Sequence, residues 1–327
     1  MRKYVFTCGD INGIGPEIVV KALNKLYMRK QSSFSFICPG NVFRSIIKKN
    51  PVNFDYEITD KENLSRNQRI KIIDIGNVPQ KLGIPTVESG LAAYNAIKLS
   101  FELVDKKLTD GIITAPISKT AIKKSGINFP GHTELYAHWC KTNLYAMTFL
   151  SPKMNAALIT IHEPLKKVAS MITKKILRDK FEIVYNLLKI DLRISSPKIA
   201  VLGLNPHAGE NGFIGKEEQE IINPVIHEKK YSKYFNGTYS SDAFFANKLF
   251  LNFDLVLGLY HDQVLIPFKL LNFGKGVNYT AGLPLVRTSP DHGTAFDIAG
   301  DNIASESSLL QAYYYAEKII NNRLMAS

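Results

Sequence analysis

The sequence predicts an α/β protein of two α/β/α domains built on mostly parallel sheet. Short β-branched or aliphatic runs recur along the chain and stop at small, polar or metal-capable residues. Amphipathic stretches with helical spacing lie between those runs, as in folds whose strands alternate with covering helices. The length of 327 residues exceeds what one hydrophobic core usually holds.

Taken in order, the first run covers 4–7 and stops at Cys8-Gly9-Asp10. The Gly-rich segment from Gly9 to Glu17 then opens a helix, with Pro16 suited to its first turn. It contains neither G-x-G-x-x-G nor a Walker lysine, so neither standard phosphate loop applies. It reads instead as a structural turn with Asp10 and Glu17 pointing into a cleft. A helix is expected over 90–104, then a strand over 111–114 ending at Ala115-Pro116-Ile117-Ser118-Lys119. After Asn128-Phe129-Pro130-Gly131-His132-Thr133-Glu134 comes a helix-like run over 135–139. A strand over 156–161 ends at His162, and a helix is expected over 172–189. Strands over 198–204 and 253–260 end near His207 and at His261. Ligands of open α/β sheets bind beyond the carboxyl ends of the strands, so five ends carrying Asp, Lys or His predict a site. No repeat, low-complexity segment or flexible linker interrupts the chain.

Composition narrows the function. The net charge of +12 is carried by scattered doublets such as Lys48-Lys49, Lys123-Lys124 and Lys229-Lys230. None joins a long basic run or alternates with aromatics as a nucleic-acid stacking platform would, so a lysine-rich solvated surface is expected and nucleic acid is not. Cys8, Cys38 and Cys140 form no C-x-x-C pair, which excludes a thiolate metal site and fits a reducing cytoplasm. The first residues reach Gly9-Asp10 too early for a signal-peptide core. No apolar run approaches the roughly 20 residues a membrane helix needs.

His162, His207 and His261 each close a strand in a constrained setting. One strand-end histidine is more often structural, but three in equivalent positions suit a divalent transition metal with positions left open for substrate. Asp262 is placed to orient a ligand from behind. His132 and Thr133 follow a Pro-Gly turn at a helix start, where backbone amides favour an anion; the alternative is an ordinary cap by Thr133. Lys269, Asn278 and Arg287 crowd into short, stiff segments after His261, in residue types that hold phosphate or carboxylate. Asp291-His292-Gly293-Thr294-Ala295-Phe296-Asp297-Ile298-Ala299-Gly300 brackets small residues with glycines, allowing close ligand approach or simply forming a tight loop. His138 is expected to pack on its helix and His227 to lie at the surface.

Together these segments resemble the 4-hydroxythreonine-4-phosphate dehydrogenase family of pyridoxal phosphate biosynthesis nearly end to end. The resemblance rests on Gly9-Asp10 through Glu17, Thr114 through Lys119, Pro130 to Glu134, Asn205 to Glu210, Tyr260 to Gln263 and Thr288 to Gly300. It implies an isocitrate/isopropylmalate dehydrogenase-like fold. A terminal domain of residues 1–130 and 285–327 would contribute to cofactor binding, and a central domain of 131–284 would carry the metal ligands and a dimer interface. It further implies a divalent metal (Zn, Mg or Co) on His162, His207 and His261, not all from one chain, hence a homodimer with a shared active site. Substrate would meet His132, Thr133, Lys269, Asn278 and Arg287, while NAD or NADP would meet His292, Gly293, Thr294 and Asp297. Lys119, Asp242 and Asp262 are candidates for proton handling. The implied reaction oxidises 4-phosphohydroxy-L-threonine and decarboxylates the β-keto acid product; a sister enzyme acting on a phosphorylated C4 sugar acid is the rival. Two departures stand out. Asp10-Ile11-Asn12-Gly13 replaces the family's usual Asp-Pro-Ala-Gly, and Asp242-Ala243 replaces Asp-Thr.

Overall fold

The computed structural model describes residues 1–60, 68–129, 131–272 and 274–326. Twelve strands occur among them: β1 (Arg2–Thr7), β2 (Ser32–Cys38), β3 (Glu57–Thr59), β4 (Ile70–Asp74), β5 (Gly111–Thr114), β6 (Ala146–Leu150), β7 (Ala156–Leu158), β8 (Ile199–Leu202), β9 (Phe235–Tyr239), β10 (Leu255–Gly258), β11 (Val277–Ala281) and β12 (Arg287–Pro290). The chain divides into two compact units, Met1–Cys140 with Pro284–Ile320 and Lys141–Leu283 with Asn321–Ser327. Residues 131–140 thus group with the first unit. Tyr136 bonds Ser100 through their hydroxyls at 2.7 Å, and the Trp139 ring lies 5.1 Å from Phe101. The final residues group with the second because Arg323 binds Asp191 at 2.7 Å and the Tyr279 hydroxyl at 2.9 Å.

In the first unit the strand order is β3-β4-β2-β1-β5-β12, every pair parallel. The inner strands read as apolar runs because both faces of a parallel sheet are covered; β5 is buried throughout. Tyr4 and Phe34, partners in the β1–β2 register, both meet Tyr313 of helix Ser307–Leu324 edge to face. Helix Val87–Asp105 begins three residues before its expected start. Thr86 and Ser89 close a reciprocal cap there, side chain to backbone amide in both directions at 3.1 Å.

The second unit has the order β11-β6-β7-β10-β8-β9. Its β11–β6 and β6–β7 pairs are antiparallel, and β7–β10, β10–β8 and β8–β9 are parallel. Helix Lys174–Asn186 is capped by Thr173 and stacks Phe181 on Phe235 of β9 at 4.0 Å between centroids. No helix among the described residues is long and apolar enough to cross a membrane. All six lysine doublets lie exposed, as a solvated basic surface requires.

The loop ahead of helix Gly15–Leu26 is a structural turn; Asp10 does not face a cleft, whereas Glu17 lines a cavity with Gly13, Lys49 and Gln80. Asp10 is wholly buried, accepting from the Asn12 amide at 2.9 Å and the Ser89 hydroxyl at 3.2 Å. Glu17 pairs with Lys21 at 2.7 Å and accepts the Ala304 amide at 3.0 Å. Asn12, one of the departures from the family pattern, clamps the segment opposite. It donates to the Ile84 carbonyl at 2.8 Å, accepts the Lys81 amide at 2.8 Å, and accepts the Gly83 amide on its own carbonyl at 2.8 Å. A side chain on the neighbouring Gly13 would come within 2.7 Å of the Thr294 carbonyl, so this turn also seats the 291–300 loop. Truncation by Asn12→Ala leaves the Ile84 carbonyl and Lys81 amide without partners. We expect it to cost about 1–3 kcal/mol, read as a lower urea midpoint at an unchanged slope.

Candidate active site

Four neighbouring parallel strands of the second unit deliver the candidate metal ligands. Register pairs Gly258 of β10 with Leu158 of β7, and the pairing continues past the strands as the Thr160 amide and hydroxyl both reach the Leu259 carbonyl. Continuation of that ladder brings the His162 and His261 rings to 5.7 Å between centroids. His261 is half-buried at the start of helix His261–Asn272, and its Nδ1 lies 2.7 Å from Asp262 Oδ1. Because the carboxylate accepts a proton from Nδ1, Nε2 is left as the free lone pair.

On the other side of β10, β8 leads to His207 and β9 leads to Asp242. The Asp242 carboxyl is held below its usual range by the Ser240 hydroxyl and the Ala243 amide, with a contribution from His207. That contribution places His207 and Asp242 in one electrostatic neighbourhood. Ala243 is exposed and leaves Asp242 in place, so this departure does not disturb the acid. Among the described residues no three His, Cys, Asp or Glu side chains of one chain are grouped to hold an ion. Two pairs of donors are seen to interact, His162 with His261 through their rings and His207 with Asp242 through its field.

His207 rides on an unusual turn. Residues 207–211 all adopt left-handed conformations, with φ of 51, 51, 80, 42 and 56°. Four of them are not glycine, and such residues cost about 1 kcal/mol or more each. Buried Glu218 offsets this by gripping the stem: it accepts the Asn205 amide at 2.7 Å and the Asn205 side chain at 2.9 Å. Gly203 is required where the turn folds back, since a Cβ there would lie 2.8 Å from the Ala208 Cα.

The first unit carries a buried cation with an imidazole near it. Arg287, at the start of β12, is 1% exposed. Its Nε and Nη2 donate to the Thr114 hydroxyl at 3.0 and 2.6 Å, and its guanidinium lies 5.9 Å from the Tyr136 ring centre. Burial lowers its pKa to about 10, so the charge persists at neutral pH. Helix His132–Trp139 starts at Gly131 with no side-chain cap, so Thr133, itself buried, does not serve as one. His132 and Tyr136, one turn apart, share the helix face toward Arg287. Burial and the Arg287 charge hold the His132 imidazole well below its usual pKa, and its Nε2 is buried with no hydrogen-bond partner among the described residues. Glu134 also acts electrostatically on Arg287. Lys119 is exposed, with its Cε 4.0 Å from where a Gly131 side chain would begin. Pro130 lies outside the described residues.

Of the remaining expected residues, Lys269 is exposed in the last turn of its helix. Asn278 on β11 has a buried Oδ1 with no partner among the described residues. Buried polar atoms are nearly always bonded in native proteins. Those left open on His132 and Asn278 therefore suit a ligand in each unit. His292 and Thr294 are half-buried, while Gly293 and Asp297 are exposed. Open space surrounds the position a Gly293 side chain would fill, which leaves the backbone accessible to a cofactor. His227 is exposed as expected; His138 is also exposed, its ring 5.6 Å from Phe129. Sequence reasoning did not single out Thr114, Tyr136 or Glu218. Helical spacing from His132 pointed to Tyr136, whereas nothing local pointed to Glu218.

Sheet order defines a two-unit α/β fold with a mostly parallel sheet. It is shared with isocitrate dehydrogenase from Methylococcus capsulatus at a TM-score of 0.52 and 15% identity, over all of this chain and 88% of that one; the likeness is one of fold alone. The family described as pyridoxal phosphate biosynthetic protein PdxA matches residues 30–316. A 4-hydroxythreonine-4-phosphate dehydrogenase from Bacteroides thetaiotaomicron is 39% identical over 321 residues, 97% of this chain and 88% of that protein. The crystal structure of the Klebsiella pneumoniae 4-hydroxythreonine-4-phosphate dehydrogenase superposes with a TM-score of 0.81 at 32% identity, covering 98% of this chain and 100% of that one. The chain belongs to this dehydrogenase family, and as a member it is an enzyme linked to a nicotinamide cofactor.

His132 supplies a pH test. Below about pH 6.5 the unfolded chain binds a proton that the folded, desolvated imidazole resists. Stability is therefore complete above that value and lost as the solution is acidified. His132→Gln should remove that component. Its urea midpoint relative to wild type should improve between pH 7.5 and pH 5; a pH-independent difference would contradict a neutral buried imidazole.

Proposed function

We propose that this chain oxidises 4-phosphohydroxy-L-threonine to 2-amino-3-oxo-4-phosphooxybutanoate with NAD or NADP, and that decarboxylation to 3-amino-2-oxopropyl phosphate follows. The observation that carries the reading is the convergence of His162, His261, His207 and Asp242 on the ends of four adjacent parallel strands. Family membership gives that convergence its chemistry. A divalent ion (Zn, Mg or Co), when bound, would acidify the substrate hydroxyl and stabilise the alkoxide from which hydride departs. His162 and His261 of one subunit would hold it together with His207 of the partner subunit, in a cytoplasmic homodimer. The two interacting pairs of donors support such sharing.

The protein's other residues bind and orient. Arg287 and Lys269 bring positive charge, while His132, Thr133 and Asn278 bring hydrogen-bonding groups, to the phosphate and carboxylate of the substrate. A remote anchor of this kind aligns the reacting carbon. Asp262 holds the His261 tautomer, and Asp242, kept anionic, accepts a proton or an ion. Lys119, beside His132, is the candidate to return a proton to the product carbon after carbon dioxide leaves. His292, Gly293, Thr294 and Asp297 would line the cofactor, with Met1–Cys140 and Pro284–Ile320 as the cofactor-binding unit and Lys141–Leu283 with Asn321–Ser327 as the unit of metal ligands and dimer contacts.

The direct test assays 4-phosphohydroxy-L-threonine against phosphorylated C4 sugar acids, with each cofactor, and with metal added or chelated. Chelation should abolish turnover, and the amino substrate should be preferred; preference for the sugar acid would give the chain the sister activity. Arg287→Ala or Lys269→Ala should raise KM for the phosphorylated substrate roughly ten- to a hundredfold, the worth of one charged contact. Equal losses on a dephosphorylated analogue would show that the phosphate is not what these residues bind.

Subunit sharing has its own test. Since His162 and His261 are neighbours in one chain, inactive His162→Ala and His261→Ala subunits should not rescue each other. His162→Ala mixed with His207→Ala should. Equal random exchange makes half the dimers mixed, each with one intact site, restoring about a quarter of wild-type activity. Recovery by the first pair instead would make His261 the partner's ligand, and no recovery in either pair after verified exchange would place all three ligands in one chain.

A further inference from the structure

Gln263 makes three short contacts from a position 8% exposed. Its Oε1 accepts the Leu259 amide at 2.6 Å, and its Nε2 donates to the Gly203 carbonyl at 2.6 Å and the Ser241 hydroxyl at 2.9 Å. Each partner belongs to a different donor-bearing segment. Leu259 follows β10 and precedes His261; Gly203 follows β8 and precedes the left-handed turn of His207; Ser241 adjoins Asp242. Gln263 itself lies in the first turn of the helix that His261 opens.

Only an amide side chain meets this demand. It presents one acceptor and two donors on a planar group, whereas a carboxylate presents acceptors alone and an aliphatic chain presents neither. Glycine is needed at 258 for this approach, because a Cβ there would meet Val264 at 2.7 Å and the Gln263 Oε1 at 3.3 Å. The carbonyl and amide that Gln263 satisfies lie beyond the last residues paired between β8 and β10, while each segment stays tied to its other neighbour, Leu259 to Thr160 and Gly203 to Tyr239.

We propose that Gln263 is the positioning residue that sets the separation of the His261, His207 and Asp242 segments, and through them the geometry in which each subunit presents its donors to an ion. The proposal rests on the metal-site reading above. Gln263 touches neither substrate nor cofactor; it acts through the backbone of its partners. Its loss should loosen the donors without emptying the substrate pocket, and misplacement on the order of 1 Å costs about a hundredfold in rate.

The test uses the full-length protein loaded with Co2+, whose visible absorption reports ligand geometry. Gln263→Glu keeps the side-chain volume and the acceptor for Leu259 but removes both donors; Gln263→Leu removes all three bonds. We expect Gln263→Glu to melt within a few degrees of wild type, to alter the Co2+ bands, and to weaken Co2+ affinity at least tenfold. Its kcat should fall ten- to a hundredfold while KM for the phosphorylated substrate changes less than threefold. Gln263→Leu should share these changes and melt lower. Unaltered Co2+ bands and kcat per folded molecule in Gln263→Glu would overturn the proposal, whatever the melting temperature. Wild-type protein that binds Co2+ but does not oxidise the substrate would sink the functional reading alone, with the Co2+ comparison still deciding Gln263. Wild-type protein that takes up no ion would overturn both.

Discussion

Parallel pairing of β7, β10, β8 and β9 is the constraint on which the second unit's chemistry depends. Neighbouring strands in a sheet lie about 4.8 Å apart, and parallel strands end at the same edge. Residues that follow them are therefore delivered side by side however far apart they stand in the chain. His162 and His261 are the clearest case, with rings 5.7 Å apart across a ladder joined by the Thr160–Leu259 contacts. The antiparallel β6 and β11 on the flank contribute no histidine to this edge; β11 instead brings Asn278.

Past the strand ends the backbone ladder thins, and side chains share its role. Glu218 grips the stem of a turn that runs left-handed for five residues, and Gln263 ties three segments through one amide. Both groups are buried, so their hydrogen bonds are not exchanged for water. Removing either would strand backbone donors or acceptors, the costlier side of the hydrogen-bond balance. The strain of the His207 turn persists because its surroundings over-determine it.

The first unit solves a different problem, that of keeping a cation inside the protein. Arg287 is fully buried, yet its charge is retained by the Thr114 hydroxyl, the Tyr136 ring and the field of Glu134. The same charge, together with burial, keeps His132 neutral. A fixed guanidinium beside a neutral imidazole can meet an anion with one charged and one polar contact without reorganising. The Asn12 clamp and the close approach of Gly13 to Thr294 hold the loop that follows β12.

Much of this was determined locally. The strand at 111–114 is the observed β5, and the runs ending at His162, His207 and His261 are observed strands shortened by a few residues. Aliphatic runs and helical spacing report burial of nearby residues, so they survive in the sequence. The three histidines were legible because each sits where such a run stops. Only the tertiary structure decided which donors are neighbours, that Asp10 and Glu17 are internal supports, and that residues 131–140 join the first unit. It also decided the partners of Gln263, Glu218 and Arg287. These depend on hydrogen-bond register and packing between segments up to 173 residues apart, and no local pattern encodes which strand will lie beside which.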